Sequence, residues 1–510
     1  MVRSPDPMSG KRSRPIRDVH LDGEGPAYAQ VYRALRGSIL AGRATSGDRL
    51  PATRLLAREL GVSRTTILAA YDQLLAEGYV VARVGSGTFV APQLPESRAA
   101  KLRRQAAPPM ATDTPLRLSR FGERLRAHRP RHLYQRLEER TPPEFDFVHS
   151  VPDVDGLPTD AWRRIASRRA LHTPPDRLSY GTPAGLRELR VALAAYLARA
   201  RAIDTRPEQI VLCSGVAQAL DLAARLFIDE GDGVVLEEPH YVGARRSFMA
   251  AGARITGVPV DEDGLDVARL PAPTPGGHKL AYVTPSHQFP TGSILSLRRR
   301  LALLDWAQRA DAYLIEDDYD SEFRYSGRSI ESLKSLDTRS RVIYVGTFSK
   351  TLFPALRSGY AVLPDALAEQ FLDAKWLADW SSACLVQEAL ADFVAGGEYE
   401  RHLRRARTHY GSRRQALIDG LTSILGERVR FRDTQAGLHV LVAIPGVAAA
   451  HSRALIGRAL ERGLGLYPSA SHYLAPPPHA ELIMGFTQLD ESGIREGLER
   501  LAGVIDEFAG

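Results

Sequence analysis

Six short apolar runs punctuate the chain from residue 210 onward: Ile210 to Cys213, Val234 to Leu236, Leu280 to Val283, Tyr313 to Ile315, Val342 to Val345 and Tyr360 to Leu363. Amphipathic stretches lie between many of them. Continuous apolar strands separated by helices indicate a mainly parallel sheet, because each crossover lays a helix on the sheet until both faces are covered. Such sheets bind ligands at the carboxyl ends of their strands. The chain has 510 residues, too many for one ordinary domain, so the sheet is expected to share it with a second module.

The N-terminal part has a different texture. Tyr28, Val31, Tyr32, Leu35, Ile39 and Leu40 recur at helical spacing and stop before Gly42. A second helix, Thr53 to Leu60, is expected to be capped by Thr53, to bury Leu55, Leu56 and Leu60, and to end at Gly61. A third begins at Ser63 with Ile67, Leu68, Tyr71, Leu74 and Leu75 as its core stripe. Arg64, Thr65 and Thr66 are left in its exposed first turn, where such helices meet base edges. Two helices around a short Gly-containing turn make a helix-turn-helix, and "YVVARVGSGTFVAP" reads as two alternating strands turning at Gly85, Ser86 and Gly87. The expected module is a winged helix-turn-helix.

The net charge of +7 is unevenly spread. Basic residues crowd the first 140 positions, among them Arg98, Lys101, Arg103, Arg120 and Arg126, which implies an anionic polymer near that third. Residues 93–143, rich in proline, alanine and arginine, read as a linker with a helical piece near Arg131 to Arg140, and residues 1–24 as a disordered tail. No run of about 18 apolar residues and no apolar leader are visible, so a membrane span is not expected and the location is read as cytoplasmic. Cys213 and Cys384 stand in no metal spacing, and no metal site is assigned.

Chemistry gathers where the strands end. "GTFSKTLFPALRSGY" sets Lys350 after an apolar run, with Arg357 seven residues on; an amine delivered into a cleft, with a cation nearby to lower its pKa, suits attack on a carbonyl. In "EDDYDSEFRY", Asp317 could hold a pyridine nitrogen protonated and Tyr319 could bond a ring hydroxyl. Gly215, Val216 and Ala217 open a helix whose free N–H groups suit a phosphate. Tyr241 offers an aromatic plate, and "TPSHQFPTG" a polar turn with His287 and Gln288.

The stretch "GDRLPATRLLARELGVSRTTILAAYDQLLAEGYV" resembles the GntR-type winged helix-turn-helix, and "SYGTPAGLRELR", "EDDYDSEF" and "GTFSKTLFPALRSGY" resemble the fold-type-I aminotransferases, which use pyridoxal 5′-phosphate. The pairing resembles the MocR/GabR family of transcriptional regulators over almost the whole chain. The resemblance implies a winged helix over 25–92 and an aminotransferase-like α/β effector and dimerisation domain over 144–510, with a smaller C-terminal α+β subdomain. It implies Lys350 as the Schiff-base lysine, Asp317 on the pyridine nitrogen, Tyr319 on the ring hydroxyl and Tyr241 stacked on the ring. Thr347, Arg357 and the amides around Gly215, Val216 and Ala217 would hold the phosphate, with Tyr180 reaching it from a second subunit of a homodimer. His287 and Gln288 join this cofactor set. On the operator side it implies Arg54, Arg64, Thr65, Thr66, Arg83, Gly85 and Gly87 against double-stranded DNA. The effector is expected to be pyridoxal 5′-phosphate itself or an amine joined to it, with control of cofactor synthesis or amine metabolism as the output. The alternative is a working aminotransferase with an accessory winged helix. Leu482, Ile483 and Met484 occupy the neighbourhood where carboxylate-handling relatives carry an arginine, which leaves Arg245 or Arg246 as substitutes. Gly243 stands where the γ-aminobutyrate sensors of the family carry an arginine.

Overall fold

A computed structural model describes residues 19–83, 85–95, 117–128, 143–327, 331–433 and 435–508. The chain divides into two compact units between Arg117 and Leu118.

In the first unit, helices α1 (Ala27–Leu40), α2 (Thr53–Leu60) and α3 (Arg64–Ala76) precede a hairpin of β1 (Val80–Arg83) and β2 (Gly87–Val90), whose register closes at Arg83 opposite Gly87. This is a winged helix. Val31, Leu35, Ile39, Leu56, Ile67, Ala70, Tyr71 and Leu74 are buried at its centre. Tyr28, Leu40, Leu55, Leu68 and Leu75, read from the sequence as core, are 38–44% exposed. Four of these adjoin a buried residue, and one step along a helix turns a side chain by about 100°, off a stripe only one face wide. Thr53 is the first helical residue, not the cap; Ala52 holds the cap position and makes no side-chain bond. The cap of α3 is Ser63, whose Oγ accepts the Thr66 amide at 3.1 Å. Residues 19–24, assigned to the tail on composition, are tied to this unit: Val19 and Leu21 pack on its core and Arg33 donates to Asp22 at 2.7 Å. Residues 1–18 and the helical piece read near Arg131 to Arg140 lie outside the described residues.

The second unit begins with α4 (Arg120–Ala127), a helix inside the segment read as linker. It lies on its own unit: Arg120 pairs with Glu230 at 2.6 Å, and Arg124 donates to the Ala250 carbonyl at 2.9 Å. The central sheet comprises β3 (Ile210–Cys213), β4 (Gly233–Glu238), β5 (Arg254–Asp261), β6 (Gly264–Leu265), β7 (His278–Val283), β8 (Tyr313–Asp318), β9 (Val342–Thr347) and β10 (Gly359–Val362), in the order β3-β10-β9-β8-β7-β4-β5-β6. The run from β9 to β5 is parallel, while β10 is antiparallel to both its neighbours. The start of β10 therefore lies at the same edge as the carboxyl ends of β3, β4, β7, β8 and β9. One face is covered by α5 (Val216–Phe227), α6 (Val242–Ala251) and Phe371; the other by α7 (Leu297–Ala310), through Leu303, Trp306 and Ala307. Both faces are apolar, as the unbroken apolar strands predict.

A three-stranded antiparallel sheet, β11 (Arg430–Phe431), β12 (His439–Ala448) and β13 (His479–Gly485), forms the smaller C-terminal subdomain. The strand Phe145–Asp146 pairs with Leu464–Gly465 beside it, and the Gly485 amide donates to the Phe147 carbonyl at 3.0 Å. That path brings His149 and Ser150 to the sheet edge. Among the described residues, no helix is long and apolar enough to cross a membrane.

Candidate functional site

At the carboxyl edge of the large sheet, Lys350 donates from Nζ to the Ser150 carbonyl at 2.7 Å. Burial holds its pKa below the ordinary lysine range; Arg357 pushes the same way, and Asp317 and Asp320 oppose. An amine so placed is more readily unprotonated and nucleophilic than one on the surface.

The four carboxylates of "EDDYD" have four separate duties; strand alternation turns Asp317 to the face opposite Glu316 and Asp318, and Asp320 follows the end of β8. Glu316 accepts the amides of Leu333 and Lys334, each at 2.8 Å. Asp318 pairs with Arg201 at 2.7 Å and accepts from the Tyr344 hydroxyl at 2.6 Å. Asp320 meets His287 Nδ1 at 2.9 Å. Asp317 accepts from the Tyr282 hydroxyl at 2.6 Å through Oδ2, while its buried Oδ1 has no hydrogen-bond partner among the described residues. Burial raises the Asp317 pKa to about 7. A buried carboxylate oxygen without a donor is costly, and a cationic ring N–H fits that vacancy of bonding.

The rest of the expected set converges there. Tyr319 is buried with its hydroxyl 3.0 Å from His287 Nδ1. Tyr241 meets Phe289 edge to face at 6.1 Å, and a Cβ on Gly243 would overlap its ring. The position where related sensors carry an arginine is thus closed to any side chain while Tyr241 keeps this pose. Gly215 (φ 126°) turns the chain from β3 into α5. Helix α5 starts its own bonding with the Gln218 and Ala219 amides, which return to the Gly215 carbonyl, so the amides before them point outward from the helix start. A Cβ on Gly215 would lie 3.6 Å from the Arg357 guanidinium, which places that cation at the same helix start. A Cβ on Gly359 would fall 2.8 Å from the Gly346 carbonyl and 3.1 Å from the Gly215 Cα, so the floor of this cradle is bare backbone. Thr347 is buried at the end of β9. Amides, a guanidinium and a hydroxyl around a glycine floor suit a phosphate.

Two further residues of the expected set lie away from this cluster. The Gln288 amide donates to the Pro239 and Phe289 carbonyls, both at 2.7 Å, and accepts from Thr291, so it holds the turn after β7 together. Tyr180 is 79% exposed and stacks on Trp380 at 5.1 Å. Arg245 and Arg246, the substitutes read for a carboxylate clamp, give N–H groups to backbone: Arg245 donates to the Tyr473 and Ser471 carbonyls and Arg246 to that of His128. The wall facing the lysine is instead aromatic and uncharged. Phe289 is ringed by His149, His439 and His472 at 5.0–5.7 Å, and burial pushes His149 down to about 3 and His472 to about 4.

Residues that sequence reasoning missed here are Tyr282, Ser150, Asp320 and the histidines of that wall. Tyr282 left one signal, a hydroxyl inside the otherwise aliphatic run Leu280 to Val283; the others are brought in from distant segments. His287, Asp320 and His439 place donor atoms within 4.8 Å of one another.

In the first unit, Arg54, Arg64, Thr65 and Arg83 are exposed, and Thr66 is half-buried. The Thr65 and Thr66 hydroxyls lie 2.7 and 2.8 Å from the Ser63 Oγ, which fixes the rotamers at the start of α3. Gly85 and Gly87 have positive φ (74° and 113°) in the wing, and Arg83 covers Phe89 at 4.9 Å. Arg49, not singled out from sequence, bridges to Phe89 through its backbone, and a Cβ on Gly87 would lie 2.9 Å from its guanidinium.

Comparison with known proteins gives the same division. Residues 27–90 match the family of bacterial regulatory proteins of the gntR type, and residues 150–467 match aminotransferase class I and II, a pyridoxal 5′-phosphate-dependent family whose cofactor the cleft residues fit. The chain is 36% identical to the probable rhizopine catabolism regulatory protein MocR of Rhizobium meliloti, over 94% of each chain. It is 30% identical to the pyridoxine biosynthesis transcriptional regulator PdxR of Corynebacterium glutamicum, over 93% of this chain and 95% of the relative. The structure of a multiple substrate aminotransferase from Thermococcus profundus superposes with a TM-score of 0.69 at 28% identity, covering 76% of this chain and 97% of that one. A DNA-binding head of one family and a cofactor fold of the other, matched together over nearly the full length of curated regulators, place the chain in the MocR family of GntR-type transcriptional regulators.

Proposed function

We propose that this regulator responds to pyridoxal 5′-phosphate, or to an amine joined to it, through the cleft around Lys350, and that Arg54, Arg64, Thr65, Thr66, Arg83, Gly85 and Gly87 meet the operator. The observation that carries the cleft reading is the buried, unpartnered Asp317 Oδ1 at the same strand edge as a lysine of lowered pKa. When bound, the cofactor supplies an aldehyde carbon that condenses with amines and a ring that draws electrons from it. Lys350 would supply the amine that holds that carbon and would yield it to an incoming amine. Asp317 would keep the ring nitrogen protonated, Tyr319 would donate to the ring hydroxyl oxygen and Tyr241 would cover the ring face. Thr347, Arg357 and the amides at Gly215, Val216 and Ala217 would orient the phosphate, with His287 behind Tyr319. Near-visible absorbance of the purified protein with pyridoxal 5′-phosphate, beside Lys350→Ala, tests this. A band that only the parent shows is the expected result, and its absence from both proteins removes the cleft reading.

Tyr180 supports the homodimer. With Trp376, Leu377 and Trp380, all 47–79% exposed, it belongs to an apolar aromatic patch of the kind that marks an interface. On this reading Tyr180 reaches the phosphate of the second copy's cleft.

A working aminotransferase is the second reading, because Lys350, Asp317 and Tyr319 are together in one cleft and a freed lysine can also move a proton. Sustained release of a keto acid would favour it. A single slow half-reaction would favour sensing. The missing arginine clamp weighs against amino acids as turned-over substrates.

A further inference from the structure

We infer that His287 and Asp320 are a positioning pair that points the Tyr319 hydroxyl into the cleft and so sets the pH at which the Lys350 nitrogen gives up its proton; this rests on the cofactor reading above. The pair is assembled from two strand ends. His287 follows β7 and Asp320 follows β8, and both are at most 1% exposed. His287 Nδ1 lies 2.9 Å from Asp320 Oδ2 and 3.0 Å from the Tyr319 oxygen.

The tautomer follows from what surrounds each nitrogen. His287 Nε2 is buried and has no partner among the described residues. A proton there would be a buried N–H without an acceptor, and Nδ1 would set a lone pair against a carboxylate. With the proton on Nδ1, the N–H serves Asp320 and Nε2 keeps a lone pair, which a buried site tolerates better than an orphaned N–H. Nδ1 then has no lone pair for Tyr319, and the other acceptor beside that hydroxyl, Asp320, is already engaged by the Nδ1–H at 2.9 Å, so an oxygen in the cleft competes for the phenol hydrogen against an occupied carboxylate. The imidazole is held in place. A Cβ on Gly437 would overlap it, and the His439 ring, anchored by Nε2 donation to the Pro290 carbonyl at 3.1 Å, lies 5.1 Å away.

A hydroxyl fixed as a donor lowers the basicity of the oxygen it faces. A nitrogen sharing its proton with that oxygen therefore loses it at lower pH than beside a freely turning hydroxyl. The charged groups acting on Lys350 are Asp317, Asp320 and Arg357, with His149 on the facing wall; those around Tyr319 are Asp320, Asp317 and Glu237, and His439 adjoins His287. Replacing His287 frees Tyr319 and leaves Asp317 and Asp320 in place, but it also takes away the partner that holds the Asp320 pKa down, so His287→Ala is read beside His287→Asn, which keeps an N–H for Asp320.

The test follows near-visible absorbance against pH in full-length protein supplied with pyridoxal 5′-phosphate. Tyr319→Phe and His287→Ala are each expected to raise the midpoint by about one pH unit. His287→Asn, whose side-chain N–H stands in for Nδ1–H, should stay with the parent, and it shows that a folded protein is being read. The Tyr319→Phe/His287→Ala double variant should shift no further than Tyr319→Phe alone, since His287 acts through that hydroxyl. A parent-like midpoint in His287→Ala, or shifts that add, overturns the pairing. So does a midpoint that moves when a chelator is added, because His287, Asp320 and His439 would then be holding a metal. No Lys350-dependent band in the parent overturns the cofactor reading instead.

Discussion

The head and the cleft hold their functional groups in opposite ways. Arg49, Arg54, Arg64 and Arg83 stand in water on a small scaffold, and what the fold supplies is backbone: a capped helix start and a wing whose glycines adopt positive φ. Asp317, Tyr319, His287 and Asp320 are buried, and Lys350 is half-buried beside them. Desolvation pushes Asp317 up to about 7 and Lys350 down. An anionic polymer can be met by solvated cations at little cost to the fold, whereas imine chemistry needs groups whose protonation is already displaced. The two regions should therefore respond to mutation in separable ways.

The largest expected effect is all-or-none. Lys350→Ala should abolish the lysine-dependent absorbance and leave binding of the cofactor-free protein to an unrelated duplex at the parent level. A change in that background binding would show that the lysine also supports the head. Next is Arg64→Ala, which should reduce operator preference on the order of 10- to 100-fold, the worth of about 1–3 kcal/mol for a base-edge contact, without moving the absorbance. Titrations of specific and scrambled duplexes check it, and equal loss on both would make Arg64 a phosphate contact.

A third prediction concerns sign. A carboxyl whose folded pKa is raised to about 7 binds its proton more tightly folded than unfolded, so it leaves stability untouched at acid pH. Stability is lost as pH rises from its unfolded value, about 4, through 7. Asp317→Asn removes that loss. In cofactor-free protein the variant should melt higher than the parent at pH 8, by on the order of 1–3 kcal/mol, and match it near pH 4. Glu237, Glu316 and Glu322, also raised to about 7, are common to both proteins and cancel. The same variant should bind pyridoxal 5′-phosphate more weakly. Higher stability with poorer binding is the signature of a strained site; lower stability at pH 8 would mean that Asp317 is held by partners beyond Tyr282.

How much was legible follows from the same contrast. Six of the eight strands of the large sheet and the residues at their ends were readable because apolar runs and polar termini are local signals, and Lys350, Asp317 and Tyr319 lie within such signals; the order of the strands is not a local signal and was not read. Helix faces were readable only to within one residue. In the pairs Leu55–Leu56, Ile67–Leu68 and Leu74–Leu75 the structure buries one member, since the neighbour is turned off a narrow stripe. Helix α4 escaped notice because its sequence, RFGERLRA, is two turns long with only Phe121 and Leu125 on its apolar face and no buried residue; arginine bonds to the rest of its unit hold it. The His287–Asp320 pair was out of reach for another reason. Each residue sits in a motif with its own meaning, and only the parallel register of β7 and β8 brings the two together.

The smallest expected effect tests whether the head is as simple as the comparison makes it. Arg49 lies before α2 in sequence yet beside Gly87 in the wing, where a guanidinium can reach a phosphate but has no base edge assigned to it. Arg49→Ala should weaken specific and scrambled duplexes alike, by a few-fold, and lower the slope of log affinity against log salt by about one. Operator preference should be unchanged. A loss confined to the specific duplex would mean that the wing reads sequence or groove shape, and that the head, like the cleft, depends on a side chain held in place by a residue far from it in sequence.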